Sequence, residues 1–202
     1  MREVVVAVAH QKGGVGKTTT TILLAAELAA LRPDLRVVLE DQDPDRHLTT
    51  MVPPREGLPF VLDAGQSAKG DLRLVDSGPG NLAQLRTLLR RVDHVLVPVR
   101  LETMTLQALN KFLPMVEDVR AARGGHPRLL GFVVTHYAAR SIEHQRSLDE
   151  LHAFASRLGT RVLTIVPFST RIGMRITTQG HYYRPAAEAV LEVLNAGCLV
   201  AS

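Results

Sequence analysis

Residues 4–20 read V-V-V-A-V-A-H-Q-K-G-G-V-G-K-T-T-T, and this stretch limits the possible folds more than any other. A short, mostly β-branched run leads directly into a glycine-rich turn. The turn leads into residues 17–31, which are rich in Ala, Leu and Thr. A continuous apolar strand suits a sheet that is covered on both faces. The Ala/Leu segment stops before Arg32-Pro33-Asp34, a proline-marked helix end. Strand, glycine turn and helix in that order make one unit of an α/β fold.

The alternation continues along the chain. Leu35–Glu40 reads as a second strand closing on Asp41-Gln42-Asp43-Pro44, with a short helix after Pro44. Residues 51–71 carry Pro53, Pro54, Gly57, Pro59, Gly65 and Gly70 and read mostly as loop, with a short strand over Phe60–Leu62. Leu72–Asp76 is the next strand, closing on Ser77-Gly78-Pro79-Gly80. The pattern then predicts a helix over 81–91, a strand over His94–Val99, a helix over 103–122 and a strand over 129–135. A helix over 142–158, a strand over 161–166 and a final helix over 185–195 complete it. The expected fold is α/β: a mostly parallel, twisted sheet with helices on both faces, in a single domain over 1–202 with no repeat or linker. No apolar run approaches the ~18 residues of a membrane span. The N-terminus reads as a first strand and not as a signal peptide. Cys198 is the only cysteine, so one chain has neither an internal disulfide nor a site of several thiolates, which fits a reducing cytoplasm.

The turn itself has the chemistry of a phosphate loop. Glycines let several N–H groups point at one anion, and the following helix adds its positive end. Lys17 would reach the β- and γ-phosphates, and the Thr18 hydroxyl would bind Mg²⁺. The strict G-x-x-x-x-G-K-[ST] pattern is broken, because Gln11 stands at the first glycine position. A tight turn without a ligand is the alternative, and it gives no use to a lysine followed by threonines. The chain has four lysines, and two of them, Lys12 and Lys17, flank this loop. Asp76 ends an apolar strand, where a carboxylate can hold Mg²⁺ through water; a turn-forming Asp looks the same.

The loop K-G-G-V-G-K-T over 12–18 resembles that of the ParA-type partition ATPases, of the deviant Walker A family that also includes MinD and the nitrogenase iron protein. L-R-L-V-D over 72–76 resembles its Walker B strand, and V-V-L-E-D-Q-D-P over 37–44 resembles its second acidic segment. V-P-V-R-L-E over 97–102, I-V-P-F over 165–168, T-R-I-G-M-R over 170–175 and G-H-Y-Y-R-P over 180–185 extend the likeness over nearly the whole chain. His10 stands where the family commonly has Asn. The resemblance implies a P-loop ATPase that uses ATP and Mg²⁺ and dimerises with ATP. It implies a nucleotide-binding set of Gly13, Gly14, Val15, Gly16, Lys17, Thr18 and Thr19. Lys12 would cross the dimer interface to the partner's nucleotide, as an arginine finger does; the alternative for Lys12 is a solvated loop lysine. Asp41 would join Thr18 and Asp76 around the metal, and Asp43 would orient or deprotonate the attacking water. An N-capping cluster is the other role for that acidic segment. Glu40 and Asp45 are expected to crowd the site with negative charge. Phe168 would pack near adenine or, alternatively, in the core. Arg171 and Arg175 align with a segment where an arginine contacts DNA backbone, or they pair with acids such as Glu188 or Glu192.

Charge is uneven along the chain. Residues 1–119 hold 14 Lys/Arg and 15 Asp/Glu, a net of −1; residues 120–202 hold 10 Arg and 5 Asp/Glu, a net of +5. A basic half suits a polyanion, although a solvated surface gives the same count. The family likeness therefore implies a cytoplasmic, nucleoid-associated ATPase. Its dimer would bind DNA without sequence preference, and a centromere-binding, ParB-like partner would stimulate hydrolysis. With residue 4 already in a strand, the chain resembles the small forms that have no helix-turn-helix domain. A MinD-like membrane-positioning ATPase is the alternative. It requires a basic amphipathic tail, and A-V-L-E-V-L-N-A-G-C-L-V-A-S has no Lys or Arg. A metal-cluster carrier needs paired cysteines. A small-molecule ligase or kinase has no use for Lys12.

Overall fold

The protein is described from a computed structural model over residues 2–52, 57–63, 68–168 and 180–199. Its elements are β1 (Val4–Val8), α1 (Lys17–Leu31), β2 (Val37–Gln42), α2 (His47–Met51), β3 (Val61–Asp63), β4 (Leu72–Ser77) and α3 (Leu82–Leu89). These are followed by β5 (His94–Arg100), α4 (Thr103–Ala122), β6 (Arg128–Tyr137), α5 (Ile142–Arg157), β7 (Val162–Pro167), a 3₁₀ turn (Gly180–Tyr183) and α6 (Arg184–Leu199). The seven strands form one sheet in the order β3-β2-β4-β1-β5-β6-β7. Every pairing is parallel, so the expectation of a mostly parallel sheet is met in full.

Each face of the sheet has its own core. On one side Leu24 and Leu28 of α1 pack with Leu48 of α2 and with Tyr183, Ala186 and Val190 near and on α6. On the other, Leu85 and Leu89 of α3 pack with Phe112 and Val116 of α4 and Leu151 and Ala155 of α5. Strands buried on both faces are mostly apolar, which is why β1 and residues 95–99 of β5 read as unbroken apolar runs. The central β1 lies between β4 and β5, and its helix α1 packs on the face opposite to α3. Loops that leave a parallel sheet to opposite faces open a crevice at the strands' carboxyl ends.

Boundaries differ from expectation where a turn overrides local apolarity. Leu35 lies outside β2 because its N–H closes a turn on the Arg32 carbonyl at 3.0 Å. The short strand of the proline-rich stretch sits at Val61–Asp63, one residue later than expected, where it pairs with Val38–Glu40 of β2.

Glu40 does not crowd the carboxyl-end crevice. Neighbouring residues of a strand face opposite ways, and Glu40 points to a cluster around Arg73. Arg73 donates to Glu3 at 2.9 Å, to Asp63 at 2.8 Å and to Glu40 at 3.3 Å, and Arg91 meets Glu40 at 2.6 Å. Burial works against the Glu40 carboxylate, yet the arginines hold its pKa below the usual value. Arg73→Met leaves Glu3, Glu40 and Asp63 without their common partner at the sheet's edge. We expect it to cost about 2–4 kcal/mol at pH 7, and less near pH 4, where Glu40, no longer held down by Arg73, takes up a proton in the variant. Urea titrations at the two pH values measure the difference.

Candidate functional site

The loop between β1 and α1 is held from below and left open above. Val15 is fully buried, and its carbonyl accepts the Thr135 hydroxyl at 3.0 Å. Gly16 sits at φ 84° as the residue before α1, a left-handed conformation that side chains resist, and a Cβ there would come within 3.4 Å of Thr135. The Gln11 carbonyl accepts the Gly80 N–H at 3.0 Å, which ties the loop to the turn after β4. Helix α1 begins at Lys17 with no side-chain cap and no acidic residue in its first turn. Helices α3 and α5 begin instead with Asn81 and Ser141, whose side chains accept from Ala83 N–H and His144 N–H. The amino end of α1 therefore presents uncapped N–H donors and a positive dipole end beside a glycine loop, the arrangement that binds phosphate.

The two lysines of the loop behave differently. Lys17 is buried at 6% exposure, and its Nζ donates to the Lys12 carbonyl at 3.2 Å. Burial pulls its pKa below the usual lysine value, while the charges of Asp76 and Asp43 resist that fall. Lys12 is half-buried, and its Nζ reaches Glu102 at 3.3 Å and Thr105 at 3.1 Å. Its N–H donates to Nδ1 of the buried His10 at 2.9 Å. Burial, followed by the Lys17 and Lys12 charges, lowers the His10 pKa to about 4, so the ring is neutral with its proton on Nε2.

The parallel register places Asp76 of β4 beside Val8 of β1 and Asp41 of β2. Asp76 is fully buried, and no hydrogen bond of ordinary geometry reaches either of its oxygens. Burial raises its pKa to about 7; the Thr18 side chain and the Lys17 ammonium offset only part of that cost. Asp43 is also buried. Its Oδ1 accepts the Asp45 N–H at 3.0 Å and its Oδ2 accepts His47 Nδ1–H at 2.6 Å. Burial works against this carboxylate, but the His47 and Asp45 contacts hold its pKa below the usual value. A Cβ on Gly78 would come within 2.7 Å of Pro44, so glycine lets the turn after β4 lie against the Asp43 loop. Asp41 turns elsewhere: Oδ1 takes the Asp43 N–H at 3.0 Å, and Oδ2 takes the Thr49 N–H at 2.8 Å and the Thr49 hydroxyl at 2.7 Å. It braces α2, which is the capping role weighed for this acidic segment.

A divalent cation carrying phosphate would meet an unpaired buried carboxylate at Asp76 and the part-exposed Thr18 hydroxyl, and these fit it. Asp41 does not present a free oxygen in this structure. The sequence reasoning gave no role to Ser77 or Tyr183, which the structure places near the loop. Among the described residues, the buried side-chain atoms without a partner are His10 Nε2, Gln11 Oε1, both Asp76 oxygens, Ser77 Oγ, His94 Nδ1 and His136 Nδ1. All but His94 lie at the carboxyl ends of the strands, where they are placed to meet water, an ion or a polar ligand. Beside Gly16 and Thr19, Thr135, His136, Val166, Pro167 and Tyr183 line a cavity of about 60 Å³. Phe168 stands next to His136, ring centres 6.0 Å apart. It is 62% exposed, so the alternative of a core phenylalanine fails. Arg171 and Arg175 lie outside the described residues.

Residues 6–179 match the CobQ/CobB/MinD/ParA nucleotide binding domain. The chromosome-partitioning ATPase Soj of Thermus thermophilus is 32% identical, over 92% of this chain and 94% of its own. The maintenance of carboxysome distribution protein A of Gloeobacter kilaueensis is 32% identical over 72% of this chain and 71% of its own. Cobyrinic acid a,c-diamide synthase of Mycobacterium smegmatis, solved with an ATP analogue and magnesium, shares the fold. Its TM-score is 0.76 at 24% identity over 97% of both chains. The chain belongs to the CobQ/CobB/MinD/ParA nucleotide-binding family.

The raised pKa of Asp76 carries a sign that can be checked without ligand. Below about pH 4 the carboxyl is protonated in both folded and unfolded chains. From there to about pH 7 the unfolded chain ionises first, so the group withdraws stability as pH rises. Relative to its effect at pH 4.5, Asp76→Asn should stabilise the nucleotide-free protein at pH 8 by about 2–3 kcal/mol. A gain that does not change with pH in urea titrations would contradict the assignment.

Proposed function

We propose that this member of the family is an ATP-dependent partition ATPase. Its ATP-bound dimer binds DNA without sequence preference, and hydrolysis, stimulated by a centromere-binding, ParB-like protein, releases it. The observation that carries the reading is Lys17 at an uncapped helix end beside the Asp76 carboxylate, which is buried without a hydrogen bond of ordinary geometry, with a second lysine, Lys12, on the same loop. The likeness to Soj over nearly the full chain supports partition as the purpose. On this reading Gly13, Gly14, Val15, Gly16, Lys17, Thr18 and Thr19 enclose the phosphates of ATP, and Phe168 with His136 borders the base. Thr18 and, through water, Asp76 would hold Mg²⁺, which would supply positive charge against the phosphates. Lys17 neutralises the γ-phosphoryl oxygens from its own subunit, and Lys12 does so from the other. Asp43 accepts a hydrogen bond from the attacking water and aligns it in line with the leaving oxygen. His47 and the Asp45 N–H fix the Asp43 carboxylate and keep it ionised. The single chain works as one domain in this scheme.

Exposed Arg140, Arg146 and Arg157, on or before α5, supply cationic surface for DNA, and the family likeness adds Arg171 and Arg175 as backbone contacts. In the described part of α6 after Arg184 there is no Lys or Arg, and none of the described helices is long and apolar enough to cross a membrane. Anionic vesicles therefore serve as the control for the membrane-positioning alternative.

The test is binding to unrelated DNA sequences with ATP, ADP and no nucleotide, over a range of salt. We expect binding with ATP only, and a steep fall with salt. Arg171→Ala should weaken all sequences alike and lower the salt slope by about one unit. Binding to anionic vesicles and not to DNA would replace the proposal with the membrane reading.

Two substitutions test the chemistry. Lys17→Ala should abolish nucleotide binding. Asp43→Ala should leave binding intact and accumulate an ATP-bound dimer, with phosphate release reduced by about 10²-fold or more. Sizing chromatography with ATP and Mg²⁺, alongside a phosphate-release assay, reads both; parent-rate hydrolysis by Asp43→Ala would move the water-orienting role to another group.

A further inference from the structure

We propose that Glu102 and Thr105 form a holding site for Lys12 within its own subunit, and that capture of nucleotide by Lys17 releases Lys12 from it. The proposal rests on the reading of Lys12 as a residue that acts across a dimer. All three polar groups of Lys12 are engaged. Its N–H donates to His10 Nδ1 at 2.9 Å, its carbonyl accepts Lys17 Nζ at 3.2 Å, and its ammonium donates to Glu102 Oε2 at 3.3 Å and Thr105 Oγ1 at 3.1 Å. The receiving pair is itself fixed. Glu102 Oε1 meets Arg100 at 2.7 Å, so the carboxylate is clamped between two cations. Thr105 is fully buried, and its N–H bonds the Glu102 carbonyl at 2.8 Å in the first turn of α4.

An ammonium bound to Glu102 and Thr105 cannot extend to a phosphate on a second subunit. The holding site therefore competes with the dimer for the same cation. Its link to nucleotide runs through the Lys12 carbonyl. A phosphate chain offers Lys17 several charged acceptors, which bind an ammonium more strongly than one neutral carbonyl does. Once Lys17 turns to them, the Lys12 carbonyl loses its donor, and one of the contacts that pin Lys12 is gone. The lysine that closes the dimer thus becomes available after the lysine that binds nucleotide has found its ligand. Lys12 and Glu102 are both partly solvated, with side-chain exposures of 30% and 42%, so the hold is weak enough to be reversed.

The chain has only four lysines, and Lys69 and Lys111 are both exposed, so the state of Lys12 can be read directly. Lysine labelled with ¹³C at the ε-carbon gives four assignable methylene signals. In the nucleotide-free protein the Lys12 signal should stand apart from those of Lys69 and Lys111. It should move towards them in Glu102→Gln and in Thr105→Val, and it should leave its nucleotide-free position in the parent on addition of ATPγS and Mg²⁺, as Lys12 passes to the phosphate of the second subunit. Both variants should also dimerise at ATPγS concentrations lower by about two- to fivefold, the range expected of a part-exposed ion pair, as read by analytical ultracentrifugation. Unmoved Lys12 signals, or unchanged dimerisation midpoints in folded variants, overturn the holding site. If Lys12→Ala loses the ATP dimer while the Glu102 and Thr105 variants match the parent, the holding site alone is wrong. If Lys12→Ala dimerises like the parent, the cross-dimer role falls and the release falls with it.

Discussion

The burial of one ammonium group organises this protein. Lys17 sits at the first residue of α1, closed off from solvent, where a cation is costly unless anions or dipoles answer it. The Lys12 carbonyl answers part of that cost from within the loop, and the carboxylates of Asp76 and Asp43 answer more through space. Those groups come from β4 and from the turn after β2, so they converge only if β1 is flanked as the sheet order has it. The sheet is therefore the device that brings opposite charges to one cation, and the helices are the cover that keeps the sheet dry. The fully buried Asp76, with both oxygens unpartnered, shows that the arrangement is incomplete as a set of protein–protein contacts. On the proposed function, a ligand that carries both phosphate and a metal cation completes it.

Much of this was legible in the sequence because local and global signals agree. Apolar runs at β1 and over residues 95–99 of β5 state that both faces are covered, and helices α1 and α4 begin and end at the predicted residues. The phosphate loop was legible because its glycines, lysine and threonines have no cheaper joint explanation. The failures have one physical source, that a residue's type does not give its direction. Glu40 and Asp41 are adjacent carboxylates in β2, yet one faces Arg73 and Arg91 and the other braces α2 through Thr49. Nothing in the string E-D-Q-D distinguishes them without knowing which face of the strand meets which neighbour. Phe168 was ambiguous for the same reason, since an aromatic after an apolar strand can turn inwards or outwards. His47 gave no signal at all. Its importance comes from a helical turn that sets it four residues after Asp43, and the turn is visible only in the fold.

The loop also shows how similar architecture can serve different ends. A fold shared with a diamide synthase and with partitioning proteins fixes where phosphates lie and leaves open what their hydrolysis moves. The features of this chain that bear on that question are peripheral to the phosphate cradle: the second lysine, the residues that receive its side chain, and the basic character of the later half of the chain. A part-exposed lysine paired with Glu102 is the kind of contact that can be traded for another, whereas the buried contact between Thr135 and Val15 is not. The site thus combines a rigid floor with a rim that can exchange partners.

The central position of β1 has a consequence for how the protein is made. Strand β1 spans residues 4–8, but the strands on either side of it, β4 and β5, occupy residues 72–77 and 94–100. At roughly 5–20 residues per second, a ribosome extends the chain for several seconds after β1 has been synthesised before either neighbour exists. During that interval an apolar, β-branched segment has both edges and both faces open, in the company of a glycine loop that cannot hold its shape alone. Nascent β1 is therefore a stretch in need of shielding, by a chaperone or by transient contacts with α1. The strand at the centre of the finished sheet has to wait for partners that lie more than sixty residues further along the chain.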